Sequence, residues 1–278
     1  MTFVTCSAAG SRLVDNFQKN YPSFTLERDL LGMLDPFTDP AQLLTGIPFS
    51  VALLVILFVH EMGHYMACVY YRLDASLPYF LPAPSFIGTF GAFIRIRSAI
   101  YSRKTLFDVG IAGPIAGFIA LIPFLITGLA LSKQVPEIAE QGDLVFGTPL
   151  LLTYFEHLFF PGVPSSDIYL HPIARAAWVG LFATALNPLP IGQLDGGHIL
   201  YAVFGEKHKA LSWITLAALI PLGFLYWPWW VWAVGLFFFG RKHPYVSDEI
   251  PLGWKRKLLA LFALVIFLIC FMPAPIQV

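Results

Sequence analysis

The sequence predicts an all-α polytopic membrane protein of about six transmembrane helices, with a small β or re-entrant element between the first two. Three observations predict it. Of 278 residues, 57% are hydrophobic, 16% aromatic and only 12% charged, where a soluble domain carries about 25% charged residues; the mean hydropathy is +0.71. Apolar runs recur at lengths near the roughly 20 residues that cross a hydrocarbon core. Basic residues gather in alternate connections between those runs, as they do in cytoplasmic loops.

Residues 1–45 are mixed in charge and contain Pro22, Pro36 and Pro40, so they read as a polar or interfacial extension. They show no basic region followed by an apolar stretch, and a cleaved signal peptide is not expected. Five apolar regions follow, at 46–71, 106–132, 173–201, 210–240 and 257–273. The fourth is interrupted by Pro221-Leu222-Gly223 and Trp227-Pro228, which predicts two short helices in a tight hairpin and brings the count to six. Between the first two lies a segment at 77–100 with strand-like alternation in "AFIRIR" and turn glycines Gly88 and Gly91. The expected divisions are an N-terminal extension at 1–45, a membrane core at 46–204 and C-terminal helices at 205–278.

Charge in the connections supports the count. Arg72, Arg95, Arg97, Arg103 and Lys104 follow the first helix, Lys207 and Lys209 the third, and Arg241, Lys242, Lys255, Arg256 and Lys257 precede the last. Residues 133–172 carry instead Glu137, Glu140, Asp143, Glu156 and Asp167 against the single Lys133. Six helices put every basic connection on one side and both termini on the other. The 17 Lys plus Arg balance the 17 Asp plus Glu, so no excess of charge points to nucleic acid, and partners are expected in the lipid bilayer. Cys6, Cys68 and Cys270 are widely separated and form no CxxC or Cys-His cluster, so neither a disulfide scaffold nor a thiolate zinc site is indicated.

The first apolar run ends in "FVHEMGHYMAC". On a helix, His60 and His64 lie about 40° apart around the axis and about 6 Å along it, so both imidazoles can meet one ion. Glu61 is rotated by about 100° and can reach a water on that ion without binding it, as in HExxH hydrolases. Ionisable side chains at bilayer depth cost about 2.5–3.5 kcal/mol each on insertion scales and mark function. The competing reading is a helix end merely wetted at the interface, against which residues 65–71 continue the apolar pattern. A catalytic zinc site takes three protein ligands, and the best candidate for the third is Asp195 in "LNPLPIGQLDGGHIL", beside Gly196 and Gly197. A turn or helix-cap Asp is the alternative there. Gly110, Gly113 and Gly117, with Pro114, read as close helix packing or as a flexible gate. His157, His171, His208 and His243 fall in connections and are expected to be solvated, whereas His198 is a candidate supporting partner of the site.

Together, HEMGH in the first helix and the Asn187-Pro188-Leu189-Pro190 and Leu194-Asp195-Gly196-Gly197 stretch in a later one resemble the site-2 protease family of intramembrane zinc metalloproteases. The resemblance covers 46–201. It implies one Zn2+ held by His60, His64 and Asp195, Glu61 as general base, and Asn187 as a polar group beside the reacting carbonyl. The segment at Gly88, Thr89, Phe90 and Gly91 is similar to the family's substrate-presenting strand edge. The implied substrate is a membrane protein, such as a membrane-tethered regulator, cut near the cytoplasmic side of a bacterial or archaeal cell membrane. Residues 133–172 are too few for the PDZ domain many relatives carry there. A membrane transporter and an inactive relative acting as a binding module are the rival classes. Every motif residue is present, which argues against the second.

Overall fold

The computed structural model describes residues 1–31, 35–189, 194–239, 246 and 250–277. Pro190 of the second motif, and Arg241, Lys242 and His243 of the last basic connection, lie outside the described residues.

The extension at 1–45 is largely helical: α1 (Thr2–Lys19), α2 (Leu26–Leu31), α3 (Asp35–Thr38) and α4 (Pro40–Thr45). Asn20 ends α1 in the left-handed conformation, and Asp39 caps α4 by accepting from the Ala41 amide at 2.9 Å. Long helix α5 (Ile47–Tyr70) carries HEMGH in its second half. Strands β1 (Tyr79–Pro82) and β2 (Thr89–Phe93) then form an antiparallel hairpin with Phe80 opposite Ala92 and Leu81 opposite Gly91. The predicted β element between the first two helices is therefore this hairpin, with an Ala75–Ile96 bridge below it.

Helix α6 (Arg103–Ala130) crosses the centre of the molecule and packs on α5, on α8 (Pro172–Leu186) and on α9 (Asp195–Phe204). Its Leu121, Leu125 and Leu129, spaced by four, are fully buried with Ile56, Trp178 and Leu181. Lipid tails are as apolar as these side chains, so close backbone approach, rather than escape from water, holds such helices together. Glycines supply that approach. A Cβ on Gly63 of α5 would lie 2.5 Å from the Ala112 carbonyl oxygen of α6, and one on Gly128 of α6 would lie 2.3 Å from the Ala174 nitrogen of α8.

The connection at 133–172, expected as an acidic loop, also holds structure. Strand β3 (Lys133–Gln134) pairs with β5 (Ile168–Tyr169), β4 (Val145–Phe146) pairs with β6 (Ile276–Gln277) near the chain's end, and α7 (Leu150–Phe159) lies between. The third apolar region is two helices rather than one: α8 stops at Leu186 and α9 begins at Asp195. Pro188 lies just past the last residue of α8 and has no amide to donate to a continuing helix, which accords with the break there.

The predicted hairpin is present as α10 (His208–Leu225) and α11 (Pro228–Phe239), followed by α12 (Trp254–Cys270). Only one of its two expected breaks occurs. Helix α10 runs through Pro221, while the chain turns at an extended Tyr226 and restarts at Pro228, where the missing amide costs nothing. Among the described residues the structure does not hold six separate spans: three runs are long and apolar enough to cross a membrane, Ile47–Tyr70, Arg103–Ala130 and Asp195–Leu225, the last joining α9 and α10 through one 3-10 turn. Helices α7, α8 and α11 are apolar but shorter.

Candidate metal centre

His60 and His64 are both buried on the face of α5 that meets α6. The His64 Nδ1 lies 2.7 Å from the Val109 carbonyl oxygen of α6. A carbonyl can only accept, so Nδ1 carries the proton, and in the neutral ring Nε2 is left with its lone pair. The Asn187 side-chain nitrogen lies 3.0 Å from His60 Nε2, so that atom too is placed to accept. The Asp195 Oδ2 lies 3.3 Å from His60 Nε2 and 3.3 Å from His64 Nε2, and the two imidazole nitrogens are 3.3 Å apart. Three electron-pair donors thus converge, an arrangement that calls for a cation between them. Bonds of about 2.0–2.1 Å to a tetrahedral ion separate its ligand atoms by about 3.3 Å. All three separations fit that edge length, so the residues present suit a metal ion of this kind.

The break in the third apolar region brings Asp195 here. Asp195 is the first residue of α9, after an extended Leu194. The Gly196 amide donates to the Asn187 carbonyl at 3.0 Å, drawing the start of α9 back onto the end of α8. A Cβ on Gly196 would sit 1.8 Å from the Pro188 carbonyl oxygen, so this position requires glycine.

Helix α6 seats the two imidazoles. A Cβ on Gly113 would fall 2.0 Å from His64 Nε2, and one on Gly117 would fall 2.9 Å from His60 Nδ1. The packing reading of these glycines is the one the structure bears out, with a specific reason: they make room for the histidine rings. Sequence reasoning missed that role and the Val109 carbonyl. A usable signal was present, since two glycines four apart on the next helix match two histidines four apart on α5.

A cavity of about 550 Å³ opens beside these groups. His60, Glu61, His64, Asn187, Asp195 and His198 line it, and Thr89, Phe90 and Gly91 of β2 form another part of its wall. The Glu61 Oε1 lies 4.0 Å from His60 Nε2. Phe182 of α8 and Trp232 of α11, which sequence reasoning did not single out, add apolar wall. Gly88 is the exception among the expected substrate-contacting residues. It turns the hairpin at φ +84° against α1, accepting a 2.6 Å hydrogen bond from Thr5, and does not line the cavity. His198 sits over Gly110 of α6, whose added Cβ would meet its Cβ at 3.1 Å. Of the histidines expected to be solvated, His157 is exposed. His208 is instead buried against the Tyr201 ring, with its Nδ1 2.8 Å from the Gly205 carbonyl, and a half-buried His171 caps α8.

The family model of peptidase family M50 matches residues 48–226, more than half of the chain and both motifs. The chain belongs to the site-2 protease family. Within that family it is similar to proteins named probable zinc metalloprotease EGY1, chloroplastic, from Arabidopsis thaliana and from Oryza sativa subsp. japonica. Both are 32% identical to it, over 87% and 85% of this chain and 44% and 42% of their own lengths. The probable zinc metalloprotease EGY2, chloroplastic, of Arabidopsis thaliana is 32% identical over 94% of this chain and 47% of its own length. The chain therefore spans less than half the length of these relatives. They are plant proteins described as chloroplastic, which gives the expected bacterial or archaeal membrane no support.

Proposed function

We propose that this chain is a zinc metalloprotease that hydrolyses peptide bonds of membrane-embedded helices near the basic-loop, cytoplasmic side of the bilayer. The observation that carries the reading is the triangle of His60 Nε2, His64 Nε2 and Asp195 Oδ2 with 3.3 Å edges, with Glu61 beside it in one cavity. Family membership supports the same reading, and the presence of every motif residue favours an active enzyme over an inactive relative. The core at 46–204 is its catalytic part.

Zinc held by His60, His64 and Asp195 would polarise the scissile carbonyl and acidify a water. The remaining work falls to the chain. Glu61 accepts the proton of the attacking water and passes it to the departing amine. The Asn187 amide, already on the edge of the centre, donates to the carbonyl oxygen as negative charge develops there.

A substrate helix hides its carbonyls in its own hydrogen bonds, so it must unwind before it can react. Strand β2, paired on one edge with β1, offers Thr89, Phe90 and Gly91 beside the cavity, where an unwound segment adds as a further strand. His64 lies toward the Tyr70 end of α5, the end followed by basic residues, which supports a cut on that side of the membrane.

The test is to reconstitute the full chain in lipid vesicles with a single-span substrate and map the cut by mass spectrometry. Cleavage within the apolar span, nearer its cytoplasmic end, is the expected result. A cut confined to the water-exposed flanks would contradict the intramembrane reading.

A further inference from the structure

We infer that Arg103, the first residue of α6, positions the metal ligand Asp195 by holding the far end of α9. The inference rests on the metal-centre reading above and extends it to a residue about one helix length away.

Helix α9 has ten residues with Asp195 at its start and ends where Gly205 adopts φ +58°. That turn leaves the last carbonyls of the helix without the amides a longer helix would supply. Arg103 fills the gap. Its Nε donates to the Ala202 carbonyl at 3.0 Å, and its Nη2 donates to the Ala202 carbonyl at 2.6 Å and to the Val203 carbonyl at 3.1 Å. A planar cation at a helix carboxyl end matches both the donor geometry and the dipole.

The consequence lies at the other end. Ala202 is seven residues beyond Asp195, about 10 Å along a helix, and a helix this short moves as a rigid rod. Helix α6 already sets the two histidines through Val109, Gly113 and Gly117. With Arg103 it also sets how far α9 advances, so one helix gauges all three ligands. Tolerance at such a site is about 0.5 Å, and a slide of α9 would carry Asp195 out of it.

The test compares the full chain in detergent with Arg103→Ala, Arg103→Lys and Arg97→Ala. Arg97 is an exposed arginine of the same connection, paired with Asp74. Zinc affinity is read by competition with a chromogenic chelator, and the thermal midpoint of the metal-free protein is read alongside. Loss of Arg103 is expected to weaken zinc binding by about 10- to 100-fold, the range for groups that orient metal ligands. Arg103→Lys should recover part of it, and Arg97→Ala should bind as the native chain does. Native affinity in Arg103→Ala, or an equal loss in Arg97→Ala, would overturn the inference. If the alanine variant does not fold, native affinity in Arg103→Lys would overturn it and an intermediate affinity would uphold it. A native chain that binds no zinc would instead sink the metal-centre reading itself, and this inference with it.

Discussion

Gly113 shows how narrowly the centre is built at the scale of a residue. A single methyl group there would lie 2.0 Å from His64 Nε2, the atom aimed at the metal. Gly113→Ala is therefore expected to cut zinc affinity by at least about tenfold, the lower end seen when a ligand's support is disturbed. Gly235→Ala serves as the comparison, since nothing lies within 4 Å of a Cβ there; chelator competition on both variants decides the matter, and equal affinities would refute the seating role. Asn187→Ala should retain zinc while cleavage falls by about 10²–10³-fold, the usual cost of removing one donor to a developing oxyanion. At this scale the sequence was legible where chemistry demands a residue type: His60, Glu61, His64, Asn187 and Asp195 all line one cavity. It was illegible where a residue matters for what it lacks. Gly113 and Gly117 look like any small-residue packing stripe until the opposing helix is known.

At the scale of elements, the break between α8 and α9 matters most. Hydropathy merged residues 173–201 because both halves are apolar, and only Pro188 and Pro190 recorded the interruption that lets Asp195 turn back onto α5. The hairpin of β1 and β2 was visible in the turn glycine Gly88; Gly91, expected at a turn, lies inside β2 opposite Leu81, and the alternation at 92–97 overlaps β2 only at Ala92 and Phe93. The docking of Gly88 on α1 was not visible, because it depends on a helix 80 residues earlier whose mixed composition read only as a polar or interfacial extension. The C-terminal helix α12 is tied to the core by Arg256, which donates to both oxygens of Asp108 at 2.8 and 2.6 Å, while Tyr71 of the α5 end donates to the same carboxylate. These groups are partly exposed, so Asp108→Asn is expected to cost about 1 kcal/mol or less. A thermal midpoint in detergent lowered by several degrees or more would show that the clamp carries more of the fold than its exposure implies.

On the scale of the whole molecule, the alternation of basic and acidic connections is the part of the architecture that composition records most directly. It predicts sidedness even where the count of six spans does not hold. Cys6, Cys68 and Cys270 are fully buried and so give little background to a membrane-impermeant thiol reagent. Cysteines introduced at Lys104 and Lys255 should label from one face of a sealed vesicle, and a cysteine at Glu140 from the other. Labelling of all three from one face would remove the charge map on which the placement of the cut depends. The length of individual spans was not legible, because short apolar helices such as α7, α8 and α11 carry the same residue types as long ones.

The claim that joins these scales is that a metal held by α5 and α9 acts together with Glu61 on a peptide bond inside the membrane. The most direct measurement is zinc content and cleavage of a membrane-helix substrate, made side by side on the native chain and on Glu61→Gln. The account predicts equal zinc in the two proteins and cleavage reduced by about 10²–10⁴-fold in the variant, the span of a general base's contribution. Full cleavage by Glu61→Gln with its zinc retained would contradict it.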